Sequence, residues 1–355
     1  MSLPVISDKY HKITSLKLNE DNYLFLDMFC RNNELILIIP GTIDFSKLKI
    51  YNGEEELYLK QKKYNYHGFL FKVIIYDLIT KEINIDIKIE YNNDIIRHFS
   101  IQNFNFYKEK NLCLTTLFKD DYFLLNKFVN YYKKNGVENF FLYYNGKIDN
   151  LPTKNMEDVI FIEWNYPYLV DTNKAFAQNS QTLHSLYKYG IPLTDYIIYN
   201  DLDEYFFINE NCKIVDIINE NPDIDTFYFH NVWADTIEIP KNIEDYFLEL
   251  ENNPNLPDTF YIDLTVKNKG DRSKFIVKTN SIYNIVNIHS VEFYCDSEFK
   301  ELINKDFLMF HFFRWAPEKN KNNLSVRGRN SLTRNRYDHL IEFNKFKKFS
   351  MPNLS

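Results

Sequence analysis

Polar and apolar residues alternate with period two through the first hundred positions. Ile83, Ile85, Ile87, Ile89 and Tyr91 alternate with Asn84, Asp86, Lys88 and Glu90, a strand with one wet face. The segments Glu34 to Pro40, Leu48 to Lys60 and Gly68 to Leu78 have the same character, and Tyr51-Asn52-Gly53 supplies a hairpin-turn signal. Several short strands with no helix between them predict a small all-β sandwich over residues 1–106.

The pattern changes near Lys108 to Lys110, where residues 107–355 begin a second domain. Leu112 to Phe118 is an apolar run of buried-strand type. Leu124, Leu125, Phe128, Val129 and Tyr132 then recur at helical spacing, with Asp120 or Asp121 placed to cap and Gly136 to stop the helix. Phe140 to Asn145 and Val159 to Trp164 read as strands. Asn173 to Tyr189 reads as a helix ended by Gly190 and Pro192, and Asp195 to Ile208 as one strand running into a cluster of acids. Strands alternating with helices predict an α/β domain with a mainly parallel sheet, whose ligands bind beyond the carboxyl ends of the strands. Asn252 to Lys269, rich in Asn, Pro and Asp, reads as a long loop over the site.

Composition narrows the function classes. With 45% hydrophobic residues the chain can build a real core, and a net charge of −7 argues against nucleic acid as a partner. The charge is unevenly placed. From Ala316 to Ser355 nine Lys/Arg stand against three acids, a basic tail suited to phosphate, to peripheral contact with an anionic membrane, or simply to water. Cys30, Cys113, Cys212 and Cys295 are too scattered for a zinc site or a disulfide framework. No apolar leader or 18-residue apolar span is present, so the expected location is cytoplasmic. The 17% aromatic content is better explained by biased codon usage than by sugar stacking.

The chemistry gathers at Asn200-Asp201-Leu202-Asp203-Glu204-Tyr205, after the apolar Tyr196 to Tyr199. On a regular strand Asp201 and Asp203 point the same way, and two converging carboxylates repel unless a cation lies between them. Mn²⁺ or Mg²⁺ suits such oxygen ligands and also accepts diphosphate oxygens. A solvated acidic loop is the plain alternative. Lys274, Lys278 and His289 surround a later apolar stretch, and His311 and Arg314 stand in the apolar Phe307 to Trp315. Cations there suit a diphosphate, and a neutral imidazole suits a metal.

In order, these pieces resemble glycosyltransferase family 92 and its relatives of the GT-A class, from about Asn111 to Trp315. The resemblance lies in LTTLFKDDYFLLNKFVNYYKKNGVENFFLYYN, AFAQNSQTLHSLYKYG, DYIIYNDLDEYFF, the Lys274 to Val291 stretch and LMFHFFRW, with Tyr205 for the usual Phe and Phe312 for the usual Tyr. It implies a GT-A-type sheet flanked by helices and transfer of a hexose from a nucleotide-sugar, UDP-linked by expectation, to a glycan acceptor. Asp201 and Asp203 would hold the metal and the sugar-nucleotide, and Glu204 would support the loop or contact the donor sugar. Thr115 and Lys119 would lie near the nucleoside, Asn145 and Gln178 would line the donor pocket, and Lys274 and Arg314 would reach the diphosphate. His289 or His311 would be a late ligand. Inversion, the usual outcome in this family, needs a carboxylate base on the acceptor. Asp235, after Trp233, is the candidate, with Glu238 and Glu292 as alternatives.

Three rival readings compete. A haloacid-dehalogenase-type phosphatase shares Asp-x-Asp but wants Thr or Val where Tyr205 stands. A sugar nucleotidyltransferase needs a glycine-rich loop that LTTLFKDDYF lacks. A carbohydrate-binding protein with an inactive transferase domain would not need Asp201, Asp203, Lys274 and His311 together.

Overall fold

The computed structural model describes residues 11–20, 22–64, 71–78, 82–106, 112–152, 156–170, 174–209, 212–235, 252–263, 272–287, 289–293, 299–312 and 347–350. The protein is mixed α/β, with a β-rich N-terminal region and few helices. It divides into two compact units: residues 1–117, 138–198 and 277–299, and residues 118–137, 199–276 and 300–355.

In the first unit, the N-terminal strands pair in one continuous path: Glu55–Glu56, Leu48–Asn52, Asn84–Tyr91, Ile95–Phe104, Asp27–Arg31, Glu34–Pro40, Phe71–Asp77, Leu59–Tyr64. Neighbours are antiparallel except where the end of Ile95–Phe104 meets Asp27–Arg31 in parallel, joining two four-stranded halves. The period-two reading fails at Ile83, expected on the buried face, which precedes the strand and is 64% exposed. It holds from Ile85 to Ile89: Ile85, Ile87 and Ile89 are buried while Asn84 and Asp86 are exposed. With Met28, Cys30, Leu35, Leu37, Leu48, Ile50 and Ile74 they form one core cluster. Gly53, at φ +61°, closes the expected hairpin between Asn52 and Glu55.

Glu34–Pro40 is apolar on both faces because both faces are covered. Ile36 and Ile38 lie outside the sandwich cluster and are fully buried. The helix Phe176–Ser185 packs against this strand, and Phe176 meets Phe71 edge-on at 4.9 Å. On the α/β side of the unit, Val159–Glu163, Asn139–Tyr144, Leu112–Phe118 and Tyr196–Tyr199 form a sheet in that order. Phe141 stacks on Tyr189 at 4.2 Å, just beyond the same helix.

Asn173 to Tyr189 was expected to end at Gly190 and Pro192. Instead the helical path continues through a wide π turn, Leu186–Gly190, into Ile191–Leu193. A π turn shifts the hydrogen-bond register, which lets the chain pass a proline that has no N–H to donate. The helix is buried on its polar side too. Asp27, His184 and Lys188 have no exposed side-chain surface. Asp27 Oδ2 accepts from Lys188 Nζ at 2.7 Å and from His184 Nε2 at 2.8 Å, while Tyr143 Oη lies 2.7 Å from His184 Nδ1. Asp27 Oδ1 accepts from the backbone N–H of Thr14 and Met28. With Tyr143 donating to Nδ1, a neutral imidazole satisfies every partner, and the charges of Asp27 and Lys188 cancel.

In the second unit, the helix Leu125–Lys134 ends as expected at Gly136. Gly136 N–H bonds Lys133 O and Val137 N–H bonds Tyr132 O, a Schellman close around a residue at φ +92°. A Cβ on Gly136 would lie 2.4 Å from Val215 Cγ1, so no other residue fits. Asp121 holds the preceding N-cap position without a side-chain cap bond.

The Glu301–Phe312 strand pairs antiparallel with Glu204–Phe207 and parallel with Thr226–Asp235. Thr226–Asp235 pairs antiparallel with Thr259–Asp263, and that strand with Lys347–Ser350. Parallel and antiparallel registers are therefore mixed here, where a mainly parallel sheet was expected. The expected loop Asn252 to Lys269 contains the strand Thr259–Asp263, and its first part is tied down by the buried Lys127, which bonds the carbonyls of Asn253 and Asn255. Part of the basic tail also returns to the sheet, where Phe349 packs on Phe207, Phe260 and Phe310.

Asp27→Ala should cost about 3–5 kcal/mol, since it leaves Lys188 buried without its counter-charge, a loss that urea unfolding reads directly. Burial pushes the His184 imidazole down to about 4 from its ordinary 6.5, against the pull of Asp27. The unfolded chain therefore takes up a proton that the folded chain refuses as pH falls from about 6.5 to about 4. Stability should be full above that window and drop through it, seen as a falling melting temperature.

Candidate active site

The expected single strand Asp195 to Ile208 is broken. Tyr196–Tyr199 ends, and Glu204–Phe207 begins after a tight turn closed by the Glu204 N–H to Asp201 O bond, 3.1 Å. Asp201 and Asp203 thus sit in a turn, and the strand alternation expected to aim them together does not apply. They have different partners.

Asp201 Oδ2 accepts from Lys274 Nζ at 2.9 Å, and Glu204 Oε2 lies 3.0 Å from the same ammonium. Lys274 has no exposed side-chain surface and Glu204 almost none. The cation required between converging carboxylates is therefore present as a lysine, and the pair is Asp201 with Glu204. Lys274 begins the strand Lys274–Lys278, whose next residues Phe275, Ile276 and Val277 are buried. Burial alone would depress its ammonium, but Asp201 and Glu204 together hold it above the ordinary lysine range. Burial pushes the Glu204 carboxyl up to about 7, reinforced by Asp201 and Asp203 and opposed by Lys274 and His311. The diphosphate contact expected of Lys274 is no part of this arrangement, because its ammonium points inward at carboxylates.

Asp203 faces the other way. Its Oδ2 lies 3.5 Å from His311 Nε2, and its carbonyl accepts from Phe312 N–H at 2.8 Å. Strand register brings His311 here, since it pairs with Glu204 on one side and Trp233 on the other. His311 Nδ1 lies 3.3 Å from Asn231 Oδ1 and 3.6 Å from Glu204 Oε1, so acceptor oxygens face both ring nitrogens. Trp233 packs against the His311 ring at 4.8 Å, and the Arg272 guanidinium lies 5.2 Å over the Trp233 indole.

The turn is held from behind by Tyr132. Its hydroxyl donates to Glu204 O at 3.1 Å and accepts from Asn200 Nδ2 and from Phe206 N–H. Asn200 Nδ2 also bonds Glu204 O, and Tyr131 Oη bonds Phe206 O at 2.6 Å. The sequence placed Tyr132 only on an apolar helix face. Its role depends on a hydroxyl partner 72 residues away.

The structure thus brings together Asp201, Asp203, Glu204, Lys274 and His311. Asp235 ends the strand Thr226–Asp235, two residues after Trp233, with its backbone paired to Tyr261. Arg314 and Glu238 lie outside the described residues. Lys119 is exposed just after the Leu112–Phe118 strand. The other candidates belong to the first unit. Thr115 is buried, its hydroxyl donating to Phe141 O and accepting from Gln181 Nε2 at 2.7 Å. Gln181 takes this contact where Gln178, half-buried one turn earlier, was the residue singled out. Asn145 spends both amide hydrogens on Trp164 O and Tyr166 O, latching that loop. His289 stands in the turn between Ile282–Asn287 and Ser290–Phe293. Among the described residues, no group of three or more His, Cys, Asp or Glu is arranged to hold a metal ion, and no helix is long and apolar enough to cross a membrane.

Residues 108–348 match the model of glycosyltransferase family 92. The protein is a glycosyltransferase and belongs to family 92. No curated protein matches the chain. Family membership sets the transferase above the phosphatase, nucleotidyltransferase and lectin readings.

Lys274→Met should destabilise the protein by about 3–5 kcal/mol, because Glu204 is left buried without a counter-charge. Adding Glu204→Gln should recover part of that loss in denaturant unfolding. Equal stability of the single and double variants would show that the pair is not the source.

Proposed function

We propose that the protein transfers a hexose from a nucleotide-sugar, UDP-linked by preference, to a glycan acceptor, in a metal-dependent and inverting reaction on a GT-A-type scaffold. The observation that carries this reading is the Asp203–His311 pair, which sets a carboxylate oxygen and an imidazole nitrogen 3.5 Å apart on the partly exposed side of the turn.

Mn²⁺ or Mg²⁺ would be held by the Asp203 carboxylate oxygen and the His311 imidazole, both partly exposed, while Asp201 is taken up by Lys274. Two protein ligands leave coordination positions for phosphate oxygens, as a nucleotide site requires. When bound, the ion would offset charge on the departing nucleoside diphosphate. Lys274 and Glu204 hold the turn so that Asp201 and Asp203 keep their positions. Trp233 supplies an aromatic wall beside His311. Asp235, two residues further along that strand, is the proposed base that takes the acceptor's hydroxyl proton. A cytoplasmic location, with the basic tail toward an anionic membrane face, belongs to the same proposal.

Asp203→Ala should abolish transfer while the melting temperature without ligand stays within about 1 °C of wild type, as for a surface-side substitution. UDP with Mn²⁺ should raise the wild-type melting temperature, since saturation at 100 times Kd adds about 2.7 kcal/mol. The Asp203→Ala variant should show no such rise. Transfer that persists in this variant with the same metal requirement would remove Asp203 from the centre.

A further inference from the structure

The accessible face of the site has a charge problem. Glu204 and Lys274 are buried behind it, and Asp201 shares the same ammonium, so two carboxylates answer one cation. The groups left partly exposed include the carboxylates of Asp201 and Asp203, the His311 ring and the Trp233 indole. A nucleoside diphosphate carries at least two negative charges, so it meets a wall that is itself acidic. A metal ion at Asp203 and His311 offsets part of this. A further cation is needed, and Lys274, pointing inward, does not supply it.

Arg272 is placed to do so. It is exposed, it precedes the Lys274 strand by two residues, and among the described residues no carboxylate pairs with it. Its guanidinium rests over Trp233, and Trp233 packs on His311, which faces Asp203. A guanidinium stacked on an indole keeps its N–H edge open for two-point bonding to phosphate, while the ring limits its rotamers. Arg272 also holds φ +59°, a left-handed conformation that costs a non-glycine residue on the order of 1 kcal/mol and that an ordinary surface arginine has no reason to adopt.

We infer that Arg272, braced on Trp233, is the residue that binds the diphosphate of the donor. The inference rests on the reading of Asp203 and His311 as the donor site. It assigns to Arg272 the contact that the sequence suggested for Lys274.

The test is titration calorimetry of wild type, Arg272→Ala, Arg272→Lys and Asp203→Asn with UDP and with inorganic pyrophosphate, each with Mn²⁺. Arg272→Ala should weaken both ligands by roughly 10- to 100-fold, the loss of a charge-assisted hydrogen-bond pair. Its melting temperature without ligand should stay unchanged. Arg272→Lys, which keeps the charge but not the fork, should fall between. If Arg272→Ala binds both ligands like wild type while Asp203→Asn does not bind, the inference fails and the donor-site reading stands. A parallel fall in unliganded melting temperature would reassign Arg272 to a structural role and overturn the inference as well. Wild type that binds neither diphosphate would remove the donor site itself and this inference with it.

Discussion

A lysine ammonium with no exposed surface, held between the carboxylates of Asp201 and Glu204, fixes the acid-rich turn. Three acids in four residues would otherwise repel one another at the end of an apolar strand. Burying one cation among them turns that repulsion into a constraint, because Lys274 and Glu204 leave water only if they meet. Asp201 is drawn to this inward pair, and Asp203, on the other side of the turn, faces His311. The two aspartates of the motif therefore do different work. One is part of the support, and the other meets the imidazole at the accessible side.

The support extends outward through neutral hydrogen bonds. Tyr132 uses its single hydroxyl on Glu204, Asn200 and Phe206 at once, and Tyr131 adds a bond to Phe206. Both tyrosines come from a helix whose end is closed by a glycine that packs against Val215. The position of the turn thus depends on helix termination some 65 residues earlier in the chain, a coupling made through packing and not through sequence proximity. Much of the aromatic content serves the same end. Phe206 lies flat on Phe229 at 4.0 Å, and Phe207, Phe260, Phe310 and Phe349 form a contiguous group behind the site. Trp233 is the aromatic ring set against the site's histidine.

The first unit uses the same device for a different purpose. Asp27 comes from the β-rich region, His184 and Lys188 from the long helix, and Tyr143 from the α/β sheet. All three segments lose their charge partners or hydrogen bonds if any one is displaced. The helix between them is polar because it has sheet residues to satisfy on both sides, which explains why a segment with little amphipathic pattern is nonetheless buried. Thr115 and Asn145, placed by resemblance near a nucleotide, are likewise engaged in internal bonds.

Local pattern determined what depends on local pattern. Period two marked Ile85, Ile87 and Ile89 as one buried face, apolar spacing marked the helix through Tyr132, and Gly136 marked its end, because backbone geometry ties those features to nearby residues. The order of the motifs was enough to place the chain in its family, which the match over residues 108–348 establishes. Tertiary structure alone decided the rest. The inward aim of Lys274, the pairing of His311 with Asp203 and the cover of Arg272 over Trp233 all join residues tens of positions apart. Which charge neutralises which depends on distance and burial after folding, and no spacing along a chain encodes either one.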